Sequence, residues 1–364
     1  MHIFILIYNN VVEREKMNFT LFGYPKTGKT TLFNILTGAK IEIKSYDSGK
    51  KEPNLRSCQV PDPRFEKLCS LYPDKKKKPA VIDYTDLAGV SFGDVKNESY
   101  LDYLRRADGL AHVVRGFRDV KIPYPKDKID PKDDIRSMEE EMLLADFMSV
   151  ESRMKKLEKE LKQKKNPEGE KEMALMKRLL ASLEEGRPIR EADLSPAEDK
   201  FSRSFAFLSQ KPLFHMINVD ETDISQIENM DTPLLGFCGK VEMEILELED
   251  EEKQIFLIEY GLKELSAPRF LKASYDFLDV ITFFTVGKDE VKAWTIKKGF
   301  SALEAAGEIH SDIQQGFIRA EVIPWNSLLE HESFQSARES AAVRLEGKKY
   351  IIQDGDVIFF RFSK

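Results

Sequence analysis

The stretch "GYPKTGKTTLFN", residues 23–34, decides the fold of this 364-residue chain. Gly23, Gly28, Lys29 and Thr30 stand at the spacing of a phosphate-binding P-loop. Glycines let backbone N–H groups curl around phosphate oxygens, and the amino terminus of a following helix adds a favourable dipole. The alternative, a chance glycine-rich turn, is disfavoured by the elements that flank the loop.

Those flanking elements indicate the fold class. An apolar strand is predicted over residues 17–23 and a helix over 28–38, with further strands at 79–89 and 109–117. Strands that alternate with helices are typical of a parallel sheet covered on both faces. We therefore predict an α/β P-loop NTPase fold with a doubly wound, mostly parallel sheet.

Residues 128–205 have a different character, because apolar residues recur at helical spacing on a background of Lys and Glu. The pattern stops and restarts around Asn166-Pro167, which predicts a helical hairpin packed as an antiparallel coiled coil rather than one solvated helix. The predicted seam residues are Val150, Met154, Leu157, Leu161, Met176, Leu179, Leu180 and Leu183.

The strand pattern resumes after the hairpin and becomes short strands and turns from about residue 280. The predicted divisions are an amino-terminal extension at 1–16, a nucleotide-binding domain at 17–127 and 206–279, the insertion at 128–205, and a β-rich module at 280–364. The run of lysines from Lys75 to Lys78 is expected to be a solvated loop.

The P-loop pattern assigns a chemical role to each polar residue around it. Lys29 is expected to bridge the β- and γ-phosphates, and Thr30 and Asp86 to hold Mg²⁺. Gly89, in "DLAG", is expected to offer its backbone N–H to a γ-phosphate. The phosphate-binding set is Gly23, Lys26, Thr27, Gly28, Lys29, Thr30, Thr31 and Gly89.

The base-reading loop is expected where "NVDE", residues 218–221, ends a later strand. GTPases use N-K-x-D there, because an aspartate accepts both the N1–H and N2–H₂ donors of guanine. Here Val219 replaces the lysine and Glu221 replaces the aspartate, and a longer acid cannot keep the same geometry. The sequence therefore indicates an altered clamp that favours ATP over GTP, with an ordinary strand-end turn as the alternative.

Composition limits the classes of partner and the cellular setting that are expected. The formal net charge is −7, which argues against a protein that coats nucleic acid by charge alone. The three cysteines form no C-x-x-C pair, so a reducing, cytoplasmic setting is expected. No segment is predicted to span a membrane, and neither a membrane nor DNA is an expected partner.

The motifs together resemble the YchF (Obg-like ATPase) family of translation-factor-class P-loop proteins, nearly from end to end. The matching stretches are the P-loop, "EPNLRSCQVPDPRFEKL", "DLAGV", "RRADGLAHVVRGF", "LEEGRPIRE", "NVDE", "LEDEEK", "FFTVGKDEVKAWTIKKG", "AAGEIHSDIQQGFIRAEVI" and "LEGKKYIIQDGDVIFFRF". The resemblance implies that 280–364 is a TGS domain of ubiquitin-like β-grasp fold. It also implies a preference for ATP and association with ribosomes.

The resemblance also implies residue roles. Asn218 and the Val219 backbone would contact the base, with Cys238-Gly239-Lys240 as a third base-side loop. Val90 stands where GTPases carry a glutamine that orients water. His112 matches a family histidine that is a candidate for assisting hydrolysis, although a packed core histidine is the alternative.

The sequence departs from the family pattern around the phosphates. Lys26 replaces an asparagine that, in related K⁺-activated enzymes, helps to hold potassium; its ammonium is expected to replace the ion, or else to point into solvent. Lys50 replaces a Mg²⁺-binding threonine, and residues 90–100 are shorter and poorer in glycine than the family's second switch.

These features predict a Mg²⁺-dependent protein that hydrolyses ATP slowly and docks on the ribosome or another large partner. Catalytic roles are assigned to Lys29, Lys26 and His112. A non-hydrolysing nucleotide sensor and a GTPase with a changed base loop remain as alternatives.

Overall fold

The computed structural model describes residues 17–41, 52–90, 98–126, 128–164, 166–230 and 233–363. The expectations about residues 1–16, about Lys50 and about 91–97 lie outside these ranges. The described residues fall into two compact units: one comprises Asn18–Arg56 and Tyr84–Ser274, and the other includes Ser57–Asp83 and Tyr275–Lys364. Residues 57–83, which the sequence pattern assigns to the nucleotide-binding domain, thus group with the carboxyl-terminal residues in the structure.

Strands and helices alternate along the chain. The described strands are Asn18–Phe22 (β1), Asn54–Gln59 (β2), Lys76–Lys78 (β3), Val81–Asp86 (β4), Gly109–Arg115 (β5), Leu213–Asn218 (β6), Leu234–Phe237 (β7), Val280–Val286 (β8), Glu290–Lys297 (β9), Phe317–Pro324 (β10), Arg344–Glu346 (β11) and Asp356–Phe362 (β12). The described α-helices are Lys29–Thr37 (α1), Pro63–Leu71 (α2), Glu98–Arg106 (α3), Pro131–Gln163 (α4), Pro167–Glu184 (α5), Pro196–Ser202 (α6), Gly239–Leu246 (α7), Asp250–Glu259 (α8), Ser266–Leu278 (α9), Ala302–Ile309 (α10), Ser311–Gln315 (α11), Trp325–Glu330 (α12) and Phe334–Glu339 (α13).

The first sheet has the strand order β2-β4-β1-β5-β6-β7. β1 pairs in parallel with β5, β5 with β6, and β6 with β7. Parallel strands buried on both faces need apolar residues throughout, and every residue of β5 and β6 is buried. The predicted parallel α/β fold is confirmed, and the carboxyl ends of β1, β4 and β6 bring the candidate site together.

An aromatic cluster fills the space between this sheet and α9. The ring centroids of Phe19 and Phe214 lie 5.1 Å apart, and those of Phe214 and Phe270 also lie 5.1 Å apart. All three side chains are 0% exposed. Large buried rings of this kind dominate the energy of a core, so they hold β1 and β6 against α9.

Helices α4 and α5 form the predicted hairpin. The turn between them ends at Asn166, whose side chain accepts the Glu168 N–H at 3.1 Å, and Pro167 occupies the first helical position. The apolar seam is buried between the helices: Val150, Leu157, Met176, Leu179 and Leu183 are all less than 9% exposed. The hairpin lies in the same compact unit as the first sheet.

The second unit contains a mixed sheet with the strand order β11-β10-β12-β8-β9-β3. β8 and β9 are antiparallel, as are β10 and β12, whereas β12 and β8 are parallel. Helix α10 buries Ala302, Ala305 and Ala306 against this sheet. The second unit is therefore built on a mixed sheet with a helix packed against it.

The lysine run was wrongly expected to be a loop. Lys76–Lys78 forms β3 and pairs in parallel with Glu290–Lys292 of β9. The three side chains are exposed, so the expectation of solvation holds while that of a loop fails. The reason is tertiary: Phe65 and Leu68 of α2 are buried in a cluster with Phe284 and Val291, which places the following residues beside β9. Lysine is a common residue on edge strands, where its charge opposes pairing with other chains.

Within the described residues, none of the helices combines the length and the apolar character needed to cross a membrane.

Candidate nucleotide site

The loop between β1 and α1 has the backbone that a P-loop requires. Gly28 adopts φ +98°, a left-handed conformation that side chains rarely tolerate. A Cβ at Gly28 would also collide with the Asn218 side-chain amide. The glycine is therefore needed both for the turn and for the close approach of the loop to β6.

Lys29 begins α1 and turns back over the loop. Its ammonium donates to the Tyr24 carbonyl at 2.6 Å and to the Gly23 carbonyl at 3.2 Å, and the residue is 5% exposed. Gly89 lies next to it, because a Cβ at Gly89 would be 3.0 Å from the Lys29 Nζ and 2.5 Å from the Pro25 Cα. The structure thus brings the "DLAG" loop against the P-loop, as the motif predicts.

Thr30 and Asp86 meet at the mouth of the loop. The Thr30 hydroxyl donates to Asp86 Oδ2 at 2.9 Å, and the Asn54 side chain donates to the same oxygen at 3.2 Å. Hydroxyl and carboxylate oxygens are hard ligands of the kind Mg²⁺ prefers, so these two residues fit the expected ion. Among the described residues no cluster of three or more His, Cys, Asp or Glu side chains could hold a metal.

Asn218 joins the P-loop to the segment at residues 238–240. Its Nδ2 donates to the Thr27 carbonyl at 3.1 Å, and its Oδ1 accepts the Gly239 N–H at 3.0 Å. Gly239 packs against Thr31, whose Cγ2 would lie 2.9 Å from a Cβ at that position. The predicted base-side loop, Cys238-Gly239-Lys240, therefore lies against the first turn of α1.

The carboxylate of Glu221 is held by two side chains. Lys240 donates to its Oε2 at 2.7 Å and the Tyr260 hydroxyl to its Oε1 at 3.2 Å. The hydrogen bond and charge of Lys240, followed by the Tyr260 bond, lower the pKa of Glu221. The acid in the guanine-reading position is therefore ionised and directed toward Lys240 and Tyr260.

The side chains of Val219 and Cys238 are buried, so only the backbone of these two residues can face the candidate site. They are 6% and 1% exposed, and both pack in the cluster beneath α7. The Val219 N–H donates to the Phe237 carbonyl at 2.8 Å, which fixes the loop to the end of β7. Burial raises the pKa of the Cys238 thiol, so this cysteine is a packed residue rather than a reactive one.

His112 lies beneath the P-loop, in the interior of the unit. It is 0% exposed, its ring stacks on Phe22 at a centroid distance of 5.2 Å, and its Nδ1 is 3.2 Å from Nδ1 of His215. Burial and then the nearby charges of His215, Lys29 and Lys126 lower its pKa well below the usual value. These features agree with the packed-core alternative, since burial makes the charged form of the ring unfavourable.

The described residues include Lys26, a departure from the family pattern, and Val90, where the resemblance implies a hydrophobic residue. Lys26 adopts φ +61°, a left-handed conformation that asparagine tolerates better than lysine does. Val90 is 7% exposed, packs with Leu87 and Tyr24, and donates its N–H to the Gly23 carbonyl at 3.3 Å. The Val90 side chain is therefore a core residue with no polar group to orient water.

Comparison with known proteins matches two family models. Residues 18–167 match MMR_HSR1, described as "50S ribosome-binding GTPase", and residues 280–363 match YchF-GTPase_C, described as "Protein of unknown function (DUF933)". The chain is 39% identical over 360 residues to the Ribosome-binding ATPase YchF of Bacillus subtilis (strain 168), covering 94% of this chain and 98% of that protein. The chain belongs to the YchF family.

Other YchF proteins give the same result. The Ribosome-binding ATPase YchF of Haemophilus influenzae is 37% identical over 357 residues, with 94% of this chain and 98% of that protein covered. The solved structure of the Schizosaccharomyces pombe YchF GTPase superposes with a TM-score of 0.80 at 27% identity, covering 95% of this chain and 98% of that one. The predicted family and fold are confirmed, and the chain contains a P-loop domain of the GTPase class. The names of these YchF relatives disagree on the nucleotide.

The sequence alone did not single out some residues that contact this candidate site. Asn54 stands in the quoted "EPN" and was not assigned a role. Tyr260 and Glu242, the latter a buried acid one turn into α7, were also missed. Tyr260 had no local signal, because it reaches Glu221 from 39 residues away; Glu242 could have been noticed as an acid at a position of α7 that faces the core.

Proposed function

We propose that this protein binds ATP with Mg²⁺, hydrolyses it slowly to ADP and phosphate, and associates with the ribosome in a nucleotide-dependent manner. The observation that carries the proposal is the hydrogen bond of 2.9 Å from the Thr30 hydroxyl to Asp86. Thr30 follows Lys29 in the chain, and the Lys29 ammonium donates to the Gly23 carbonyl of the same loop. A hydroxyl, a carboxylate and an ammonium at the amino end of α1 suit a Mg²⁺-bound triphosphate.

In this proposal each residue acts through ordinary electrostatics. Lys29 exchanges its bonds to the Gly23 and Tyr24 carbonyls for bonds to phosphate oxygens. Thr30 and Asp86 hold the ion, and Gly89 presents its backbone N–H beside Lys29. Magnesium, when bound, neutralises charge that develops on the phosphates during transfer.

Slow turnover follows from Val90, which packs in the core at the position where a glutamine would orient water. Lys26 is proposed to supply the positive charge that potassium provides in K⁺-activated relatives. Hydrolysis several-fold faster in K⁺ than in Na⁺ would refute that assignment.

ATP preference is supported by the altered base loop and by the names of the Bacillus and Haemophilus relatives, which are called ribosome-binding ATPases. Those names also support the ribosome as the partner. A GTPase is the second candidate, favoured by the name of the Schizosaccharomyces relative. A nucleotide sensor without turnover is the third, favoured by Val90.

One experiment separates these functions. The purified protein is titrated with ATP and with GTP in the presence of Mg²⁺, the products are analysed, and co-sedimentation with ribosomes is measured in each nucleotide state. Phosphate release from ATP supports the proposal, tight ATP binding without turnover supports the sensor, and tighter GTP binding supports the GTPase. Lys29→Ala is expected to abolish nucleotide affinity, and unchanged affinity in that variant would refute the site.

A further inference from the structure

Glu242 is a carboxylate buried behind the base-side loop. It lies on α7, one turn after Cys238 and Gly239, and is 1% exposed. Its Oε1 accepts the Cys238 N–H at 3.3 Å, and its Oε2 accepts the N–H and the hydroxyl of Ser266 at 2.8 and 2.7 Å. The acid therefore ties Cys238, the N-cap residue of α7, to the first residue of α9.

This contact continues toward the phosphates. Gly239, next to Cys238, donates its N–H to Asn218, and Asn218 donates to the Thr27 carbonyl of the P-loop. A connected series of hydrogen bonds thus runs from Ser266 through Glu242 and the base-side loop to the P-loop. Glu242 takes part in that series through an ionisable side chain, whereas Cys238 takes part through its main-chain N–H.

Burial of a carboxylate is unfavourable, and here it raises the pKa of Glu242. An apolar residue would pack at this position without that cost, since Val241 and Ile245 of the same helix are both buried in the core. The three donors offset the cost only if their geometry is maintained, which makes the position of Glu242 well defined.

We propose that Glu242 is a positioning residue for the base side of the nucleotide site. It fixes the Cys238 main chain, and through Gly239 and Asn218 it sets the distance between the base-side loop and the P-loop. This inference rests on the proposed function, because it concerns how the same site holds the nucleoside part of its ligand.

The test uses Glu242→Gln, which keeps the size of the side chain. A glutamine has one oxygen and one NH₂ group, so whichever way it is oriented, the NH₂ group faces either the Cys238 N–H or the Ser266 donors. One of these backbone groups then loses its acceptor. Calorimetric titrations with ATP and with inorganic tripolyphosphate, both with Mg²⁺, separate the base side from the phosphate side.

We expect Glu242→Gln to weaken ATP binding about tenfold, the effect of one lost buried hydrogen bond, and to leave tripolyphosphate binding unchanged. Asp146→Asn is the matched control. Asp146 is also 1% exposed and accepts the Leu208 and Ser209 N–H groups at 2.9 and 2.7 Å, but it lies on α4 in the hairpin. The control is expected to leave the affinity for both ligands unchanged.

Equal weakening of both ligands, or unchanged ATP affinity, in Glu242→Gln would overturn the inference. If that variant does not fold, Ser266→Ala removes only the hydroxyl donor and is expected to weaken ATP alone, by about threefold; unchanged ATP affinity there would overturn the inference as well. The proposed function itself would be refuted if the wild-type protein bound neither ligand. The base-side role alone would be refuted if the wild-type protein bound tripolyphosphate as tightly as ATP.

Discussion

Substitution of Asn218 by alanine removes both hydrogen bonds that join the P-loop to the base-side loop. The Thr27 carbonyl and the Gly239 N–H, both buried, would lose their partners. An unsatisfied buried polar group costs about 1–3 kcal/mol. Water that enters from the open side of the site recovers part of this cost, so we expect the free energy of unfolding to fall by about 2–4 kcal/mol.

The same substitution is expected to weaken ATP binding at least about tenfold, because the two loops would no longer be held at a fixed distance. A domain of ordinary stability, about 5–15 kcal/mol, remains folded after such a loss. Urea unfolding followed by circular dichroism measures the stability, and isothermal titration calorimetry measures the affinity.

Asn34 offers a matched control on α1. It is 3% exposed, and its side chain also makes two backbone hydrogen bonds, to the Ile41 carbonyl at 2.9 Å and from the Ile41 N–H at 3.2 Å. Asn34→Ala should lose similar stability and keep its ATP affinity. The reasoning is refuted if Asn218→Ala loses less than about 1 kcal/mol, or if both variants lose ATP affinity equally.

Three further substitutions test the site. Lys26→Asn should make phosphate release from ATP respond to K⁺, and it should not destabilise the fold because asparagine tolerates the left-handed backbone; equal rates in K⁺ and Na⁺ would count against this role. Folded His112 stays neutral below the unfolded pKa of about 6.5, so its contribution to stability is full above that pH and is lost as the pH falls. Between pH 6.5 and 5.5 His112 should lower the free energy of unfolding by about 1 kcal/mol. Urea unfolding should show that this decrease is absent in His112→Asn and still present in the control His331→Asn. Glu221→Asp should raise GTP affinity relative to ATP about fivefold in competition titrations, because the shorter acid restores guanine-reading geometry, whereas Glu221→Gln should give no gain.

Much of the fold was determined by local sequence. The P-loop spacing, the apolar strand before it and the helix after it fix β1, the loop and α1, because backbone conformation there depends on neighbouring residues. The hairpin was predicted for the same reason, since a seam interrupted at Asn166-Pro167 requires two helices. Thr30 and Asp86 lie within hydrogen-bond distance because strand ends of a parallel sheet converge on one edge.

Only the tertiary structure decided the contacts between distant segments. Lys76–Lys78 is a strand because β9, more than 200 residues later, provides a pairing partner. His112 became a core residue because His215 and Phe22 enclose it, and Glu221 turned toward Lys240 and Tyr260 because α7 and α8 place those side chains beside it. Periodicity and motif spacing describe residues within a turn or a strand of one another, whereas these interactions depend on how the whole chain folds, and a single sequence carries no local signal for them.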